Sequence, residues 1–167
     1  MVCVGKQSAW LRISGRANFH SSLDFKTLFN ELQRRGFTRF VVDLTECSLM
    51  DSTFLGVLTG FGLAASETNG RADAQRIELL NPNPRISELL ENLGVLHLFS
   101  ICRGPAASPG EIESPDLSSR EPTQEELTRT CLEAHQTLMD VNPENAARFK
   151  EVARFLSEDL KKLQSRH

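Results

Sequence analysis

Two stretches in the middle of the chain constrain its fold more than anything else in the sequence. Arg39–Leu44 reads RFVVDL, a continuous apolar run rich in β-branched residues. A strand that lacks polar alternation is covered on both faces. Phe54–Ala65 follows, apolar nearly all round and interrupted only by Thr59 and three glycines. This predicts a buried helix, and it is too short for the ~20 residues a membrane span requires. Gly56, Gly60 and Gly62 each cost about 1 kcal/mol of helix propensity, and they let the helix approach a neighbouring backbone closely. A doubly covered strand beside a buried helix points to a layered α/β fold.

The flanking segments extend that reading. Ala9–Asn18 alternates in part and predicts a strand, with Val2 and Val4 as a short edge strand before it. Ser21 or Ser22 can cap a helix with Leu23, Leu28, Phe29 and Leu32 inward and Gly36 as its stop. After the buried helix, closed by Asn69-Gly70, Ile77–Leu80 is a further strand. Asn83-Pro84 opens a helix with Ile86, Leu89, Leu90 and Leu93 inward, stopped by Gly94, and Leu98–Cys102 supplies a last strand. Repeated strand–helix units of this kind imply a mainly parallel sheet of about four or five strands with helices packed on it.

The character of the chain changes after Gly104. Residues 104–122 hold four prolines and almost no large apolar side chain, as in a linker. Thr123 and Glu126 form a capping box, and Leu127, Cys131, Ala134, Leu138 and Val141 follow at helical spacing. Asn142-Pro143 introduces a second helix with Phe149, Val152, Leu156, Leu160 and Leu163 on one stripe. The pair predicts an α-helical hairpin whose apolar faces need each other, the front module or a second copy of the chain, a homodimer in the last case. The expected organisation is a module over 1–103, a linker over 104–122 and a helical extension over 123–167. Charge divides along the same line: 12 acidic and 8 basic residues lie from Glu111 onward, leaving 10 and 11 before it.

Several classes of function are excluded. The chain carries a formal charge of −3 and no long Lys/Arg cluster, which argues against nucleic-acid binding. No secretory signal opens it, so a cytoplasmic, non-membrane location is expected. Phosphate-loop, zinc-protease, nucleophile-elbow and dinucleotide signatures are absent, no cofactor or metal is called for, and no catalytic residue stands out. The four histidines are scattered singly and read as structural or surface residues. Cys3, Cys47, Cys102 and Cys131 form no CxxC pair and read as reduced thiols.

One segment stands apart. In Val41–Gly56, VVDLTECSLMDSTFLG, a buried strand ends near Leu44, a short loop follows, and Asp51-Ser52-Thr53 sits where the buried helix begins. In its plainest role Asp51 or Ser52 is a helix N-cap. A helix start also carries exposed N–H groups and about half a positive charge, so a phosphate on Ser52 is tolerated locally while the surface gains roughly −1.5 to −2 charge.

These residues resemble the signature of the STAS domain, the anti-sigma factor antagonist family: a strand ending Asp-Leu-Ser/Thr, then an apolar residue, Asp-Ser-Ser/Thr and a Gly-containing helix start. The resemblance covers about residues 1–103 and implies the same mixed α/β fold. It also implies that Ser52 is a phosphorylated serine and that Asp51, Ser52, Thr53, Phe54 and Gly56 face a partner. Phe54 departs from the pattern, which commonly has glycine there; the ring either enters the core or joins the docking surface. The implied partner is an anti-sigma factor with a histidine-kinase-like ATPase fold acting as a serine kinase. Binding to it frees a sigma factor, phosphorylation weakens binding, and a phosphatase restores it. A non-switching adaptor in a transport or signalling assembly is the alternative, and a thiol enzyme using Cys47 or Cys102 with a histidine is a third class.

Overall fold

A computed structural model describes residues 2–5, 8–105 and 121–166; most of the 104–122 segment therefore lies outside the described residues. Five strands form the main sheet: β1 (Val2–Gly5), β2 (Ser8–Arg12), β4 (Arg39–Asp43), β6 (Arg76–Leu80) and β7 (Ser100–Cys102), in the spatial order β1-β2-β4-β6-β7. The β1–β2 pair is antiparallel and all other pairs in this sheet are parallel. The strands are linked by α1 (Phe19–Arg34), α2 (Ser52–Ser66) and α3 (Pro84–Asn92), with a 3₁₀ turn at Leu96–Leu98 leading into β7. Mixed α/β architecture with a mainly parallel sheet is thus what the apolar patterning predicts.

Register explains where the core sits. Ala9, Phe40 and Ile77 are aligned across β2, β4 and β6, as are Leu11, Val42 and Leu79, so all six side chains share one face. Phe29 of α1 lies over Phe40 and beside Phe61 of α2, with ring centroids 4.1 and 4.0 Å apart. β4 is buried from Phe40 to Asp43, as an unalternating apolar run requires.

A second, two-stranded parallel sheet pairs β3 (Gly15–Ala17) with β5 (Cys47–Met50). The predicted single strand over 9–18 is therefore split, and the expected loop after Leu44 contains a strand. Its register sets Ala17 beside Met50, and the Asp51 N–H donates to the Ala17 carbonyl at 2.8 Å. Two helices consequently start side by side, α1 after Asn18 and α2 after Asp51. Asn18, rather than Ser21 or Ser22, caps α1, in a box completed by the Ser21 hydroxyl. Gly36 (φ +89°) and Gly94 (φ +70°) end α1 and α3 in the left-handed conformation that glycine adopts freely.

The hairpin forms from α4 (Gln124–Val141) and α5 (Asn145–Gln164), and the Thr123–Glu126 capping box is present. α4 packs between α2 and α5, which is why Leu132, Ala134, His135 and Leu138 are all buried. α5 rests on α4 through a narrower face than its apolar stripe predicts: Ala153 is buried, whereas Val152 and Phe155 are exposed. Asn145, 1% exposed, donates to the carbonyls of Leu93 and Leu138 and pins the hairpin bend to the end of α3. Among the described residues the main buried apolar cluster takes Leu138 from the hairpin, with Val141 and Phe149 packed against it partly buried. The front module thus closes its core almost entirely with its own side chains.

Candidate functional site at the start of α2

Asp51 is the structural hinge of the site. Its Oδ1 accepts the Phe54 N–H at 2.8 Å, capping α2, and its Oδ2 accepts the Phe19 N–H at 2.8 Å, the first amide of α1. One carboxylate satisfies orphan donors of two helices and lies at the positive end of both. The β3–β5 ladder makes this geometry available.

Ser52 is the first residue of α2 and half-buried. Its Oγ lies 3.0 Å from Nε2 of His135, on α4. The other ring nitrogen, Nδ1, is 2.6 Å from the Cys131 carbonyl oxygen. A carbonyl can only accept, so Nδ1 carries the proton, and on the neutral ring Nε2 is left to accept from the Ser52 hydroxyl. The ring itself is buried and meets Phe149 edge-on at 5.1 Å.

The remaining predicted residues divide by direction. Thr53, 5% exposed, donates from Oγ1 to the Cys131 sulfur at 3.6 Å. Phe54 turns inward, 1% exposed, with its ring 4.9 Å from that of Phe25; of the two outcomes open to this bulky substitute for glycine, the ring takes the core. Gly56 faces α4 so closely that a Cβ would overlap the Ala134 carbonyl oxygen and lie 2.6 Å from the Ala134 side chain. Gly62 is similarly crowded by Phe99, at 2.9 Å, whereas Gly60 has open space. Gly56→Ala is therefore expected to wedge α4 off α2 while improving the intrinsic helix propensity of α2 by about 1 kcal/mol. Amide hydrogen exchange should rise over residues 124–164 with little change over the main sheet.

His135 was not legible as part of this site, because its partner stands 83 positions away and no local spacing signals the pair. Cys47 is buried and Cys131 partly so. Burial pushes the Cys131 and Cys47 pKa values up, partly offset at Cys131 by the Thr53 hydroxyl and at Cys47 by hydrogen bonds with the backbone of Ala17 and Leu49. Both should react slowly with iodoacetamide near neutral pH and rapidly after unfolding. Since the folded-state pKa values are raised, the associated stability is intact below the ordinary thiol value of 9.0 and falls as pH rises through the folded values. A pH series of denaturant midpoints checks this. The Cys47 sulfur bonds the Leu49 carbonyl, and His135 meets Cys131 at its backbone carbonyl.

Among the described residues no group of three or more His, Cys, Asp or Glu side chains is arranged to hold a metal, and no helix is long and apolar enough to cross a membrane. A cavity of about 330 Å³ between α1, α2 and α4 is lined by Lys26, Gly60 and Glu133 among others, but by neither Ser52 nor His135. The Ser–His pair is a contact between helices. What the start of α2 offers is the Ser52 hydroxyl at a helix N-terminus, next in sequence to a carboxylate that caps two helices and hydrogen-bonded to His135 of α4.

Comparison with known proteins agrees with the fold. The fold is similar to that of the anti-sigma factor antagonist SpoIIAA in its unphosphorylated form (19% identity, 63% of this chain and 87% of that one, TM-score 0.53). It is also similar to the Bacillus SpoIIAA in its phosphorylated form (19%, 63% and 90%, TM-score 0.51). A third similar structure is TM1081 of Thermotoga maritima, described as a proposed anti-sigma factor antagonist (18%, 63% and 86%, TM-score 0.54). No curated protein sequence matches the chain. The STAS domain family model matches residues 4–106, and the chain accordingly belongs to the STAS domain family.

Proposed function

We propose that this chain is an anti-sigma factor antagonist, a binding protein switched by phosphorylation of Ser52. In the unphosphorylated state it binds an anti-sigma factor with a histidine-kinase-like ATPase fold and so releases a sigma factor. That partner is the serine kinase, ATP belongs to it, and this chain is its substrate; a phosphatase reverses the modification. The reaction joins the γ-phosphoryl group to Ser52 Oγ, with ADP leaving and the hydroxyl proton lost. Residues 1–103 are the binding module, 104–122 the connector and 123–167 a helical extension, and the setting is the cytoplasm.

The observation that carries this reading is the position of Ser52 at the first turn of α2, beside a carboxylate already committed to two helix ends. A phosphate there meets free N–H groups and the helix dipole, so the fold persists while the surface charge changes. Asp51, Ser52, Thr53 and Gly56 form the partner-facing strip, with Phe54 supporting it from the core.

A pull-down from native lysate with wild type and Ser52→Asp side by side tests the proposal. Retention of a histidine-kinase-like protein by the wild type alone supports it. The reading of this chain as a non-switching adaptor draws on the engagement of Ser52 by His135 inside the chain; equal retention by both forms favours it.

A further inference from the structure

We infer that the C-terminal hairpin is an intramolecular occupant of the Ser52 face, and that α4 must leave α2 before a protein partner can engage there. This rests on the reading of Ser52 as the modified residue. Three contacts converge on the strip that the partner would use: His135 takes the Ser52 hydroxyl, Cys131 takes that of Thr53, and the Ala134 backbone fills the space that Gly56 leaves. Such close backbone approach makes the α2 surface a seat for a helix with a small residue at its centre. α4 meets that description, and a competing partner helix would have to meet it too.

The contact is built to separate. Its centre is made of hydroxyls, a thiol and an imidazole, groups that water can also satisfy, around the small Ala134, and the ion pair that ties α4 to α1, Lys26–Glu133 at 3.2 Å, is exposed. Leu138, buried in the main apolar cluster, and the Asn145 hydrogen bonds to the Leu93 and Leu138 carbonyls hold the far end of the contact. Phe54, two residues after Ser52, packs its ring against Phe25 of α1 within the front module. The hydroxyl that would attack a phosphoryl donor is, in the closed form, the one bound to His135 Nε2.

Two measurements on the full chain test this. In the first, Ser52→Cys is placed in a chain whose other cysteines are replaced by serine or alanine, and the probe is a maleimide carrying a protein-sized polyethylene glycol. Labelling should be slow, and at least tenfold faster once Leu138→Asp removes the anchor; Asn145→Ala serves as a second opener should Leu138→Asp disturb the front module by circular dichroism. Equal rates with both openers would overturn the inference. In the second, Thr53→Cys is oxidised to link it to the native Cys131, whose sulfur already lies 3.6 Å from the Thr53 hydroxyl. The kinase retained in the pull-down and ATP are then supplied to oxidised and reduced forms of this one variant. Phosphate on Ser52 in the reduced form only supports the cover, and equal phosphorylation overturns it. Hairpin-dependent labelling with no phosphate on Ser52 in either form supports the cover and counts against the proposed function.

Discussion

Asp51→Ala is expected to lower the free energy of unfolding by about 2–4 kcal/mol, a larger loss than a single helix cap of about 1 kcal/mol explains. The excess arises because the carboxylate serves two helices: Oδ1 holds the start of α2 and Oδ2 holds the start of α1. Hydrogen bonds to an ionised acceptor are stronger than neutral ones, and both stranded N–H groups belong to first turns that have no intrahelical partner. Asp51→Asn retains one carbonyl acceptor and should recover roughly half of the loss. Denaturant unfolding of the three proteins decides the matter; a loss below about 1 kcal/mol for Asp51→Ala would show that the Phe19 bond contributes nothing.

Ser52→Asp is expected to weaken partner binding at least tenfold, about 1.4 kcal/mol, while changing stability little. Ser52→Ala should remain competent. Both substitutions remove the hydroxyl donor to His135, so the difference between them isolates the added charge from the loss of that hydrogen bond. The first turn of α2 tolerates the new carboxylate through its dipole, even though Asp51 is adjacent. A partner surface that had matched a neutral hydroxyl is offered a negative charge instead. Titration calorimetry with the purified partner gives both affinities, and equal values for Ser52→Ala and Ser52→Asp would favour the adaptor reading.

Much of the fold was legible because its signals are local. The Thr123–Glu126 box, the Asn83-Pro84 helix start, and Gly36 and Gly94 at helix ends each specify a boundary within a few residues. The unalternating Arg39–Leu44 run specified a covered strand. Non-local features were not legible. β5 reads CSLM, buried at its two ends and exposed between them, so it lacks a period of two. Its ladder partner β3 lies some thirty residues upstream, and without that ladder the double role of Asp51 cannot be seen. Asn18 does not stand out in the sequence, because Ser21 and Ser22 are equally good cap formers and the box it forms uses serine where glutamate is usual. On α5 the stripe through Val152 suggested a broad apolar face, yet packing against a single helix selects Ala153 and leaves Val152 and Phe155 outside.

The site divides in the same way. Asp51 and Ser52 are marked by their position at a helix start, whereas Gly56 enters the site only through the family resemblance. The neighbours of Ser52 on α4 belong to tertiary packing: sequence placed Cys131 and Ala134 on an apolar stripe and left His135 isolated, with nothing to aim any of them at α2. The helical extension, whose purpose composition alone could not supply, lies across the strip through which the front module would meet its partner.

The central claim is that Ser52 carries the switch. It is tested most directly by incubating the full chain with ATP and the kinase recovered on the wild-type protein, then mapping the product by intact-mass and fragment mass spectrometry. The account predicts one added phosphate, located on Ser52 and absent from Ser52→Ala. Phosphate on another residue, or an unmodified chain beside a kinase proven active on itself or on a control substrate, would contradict it.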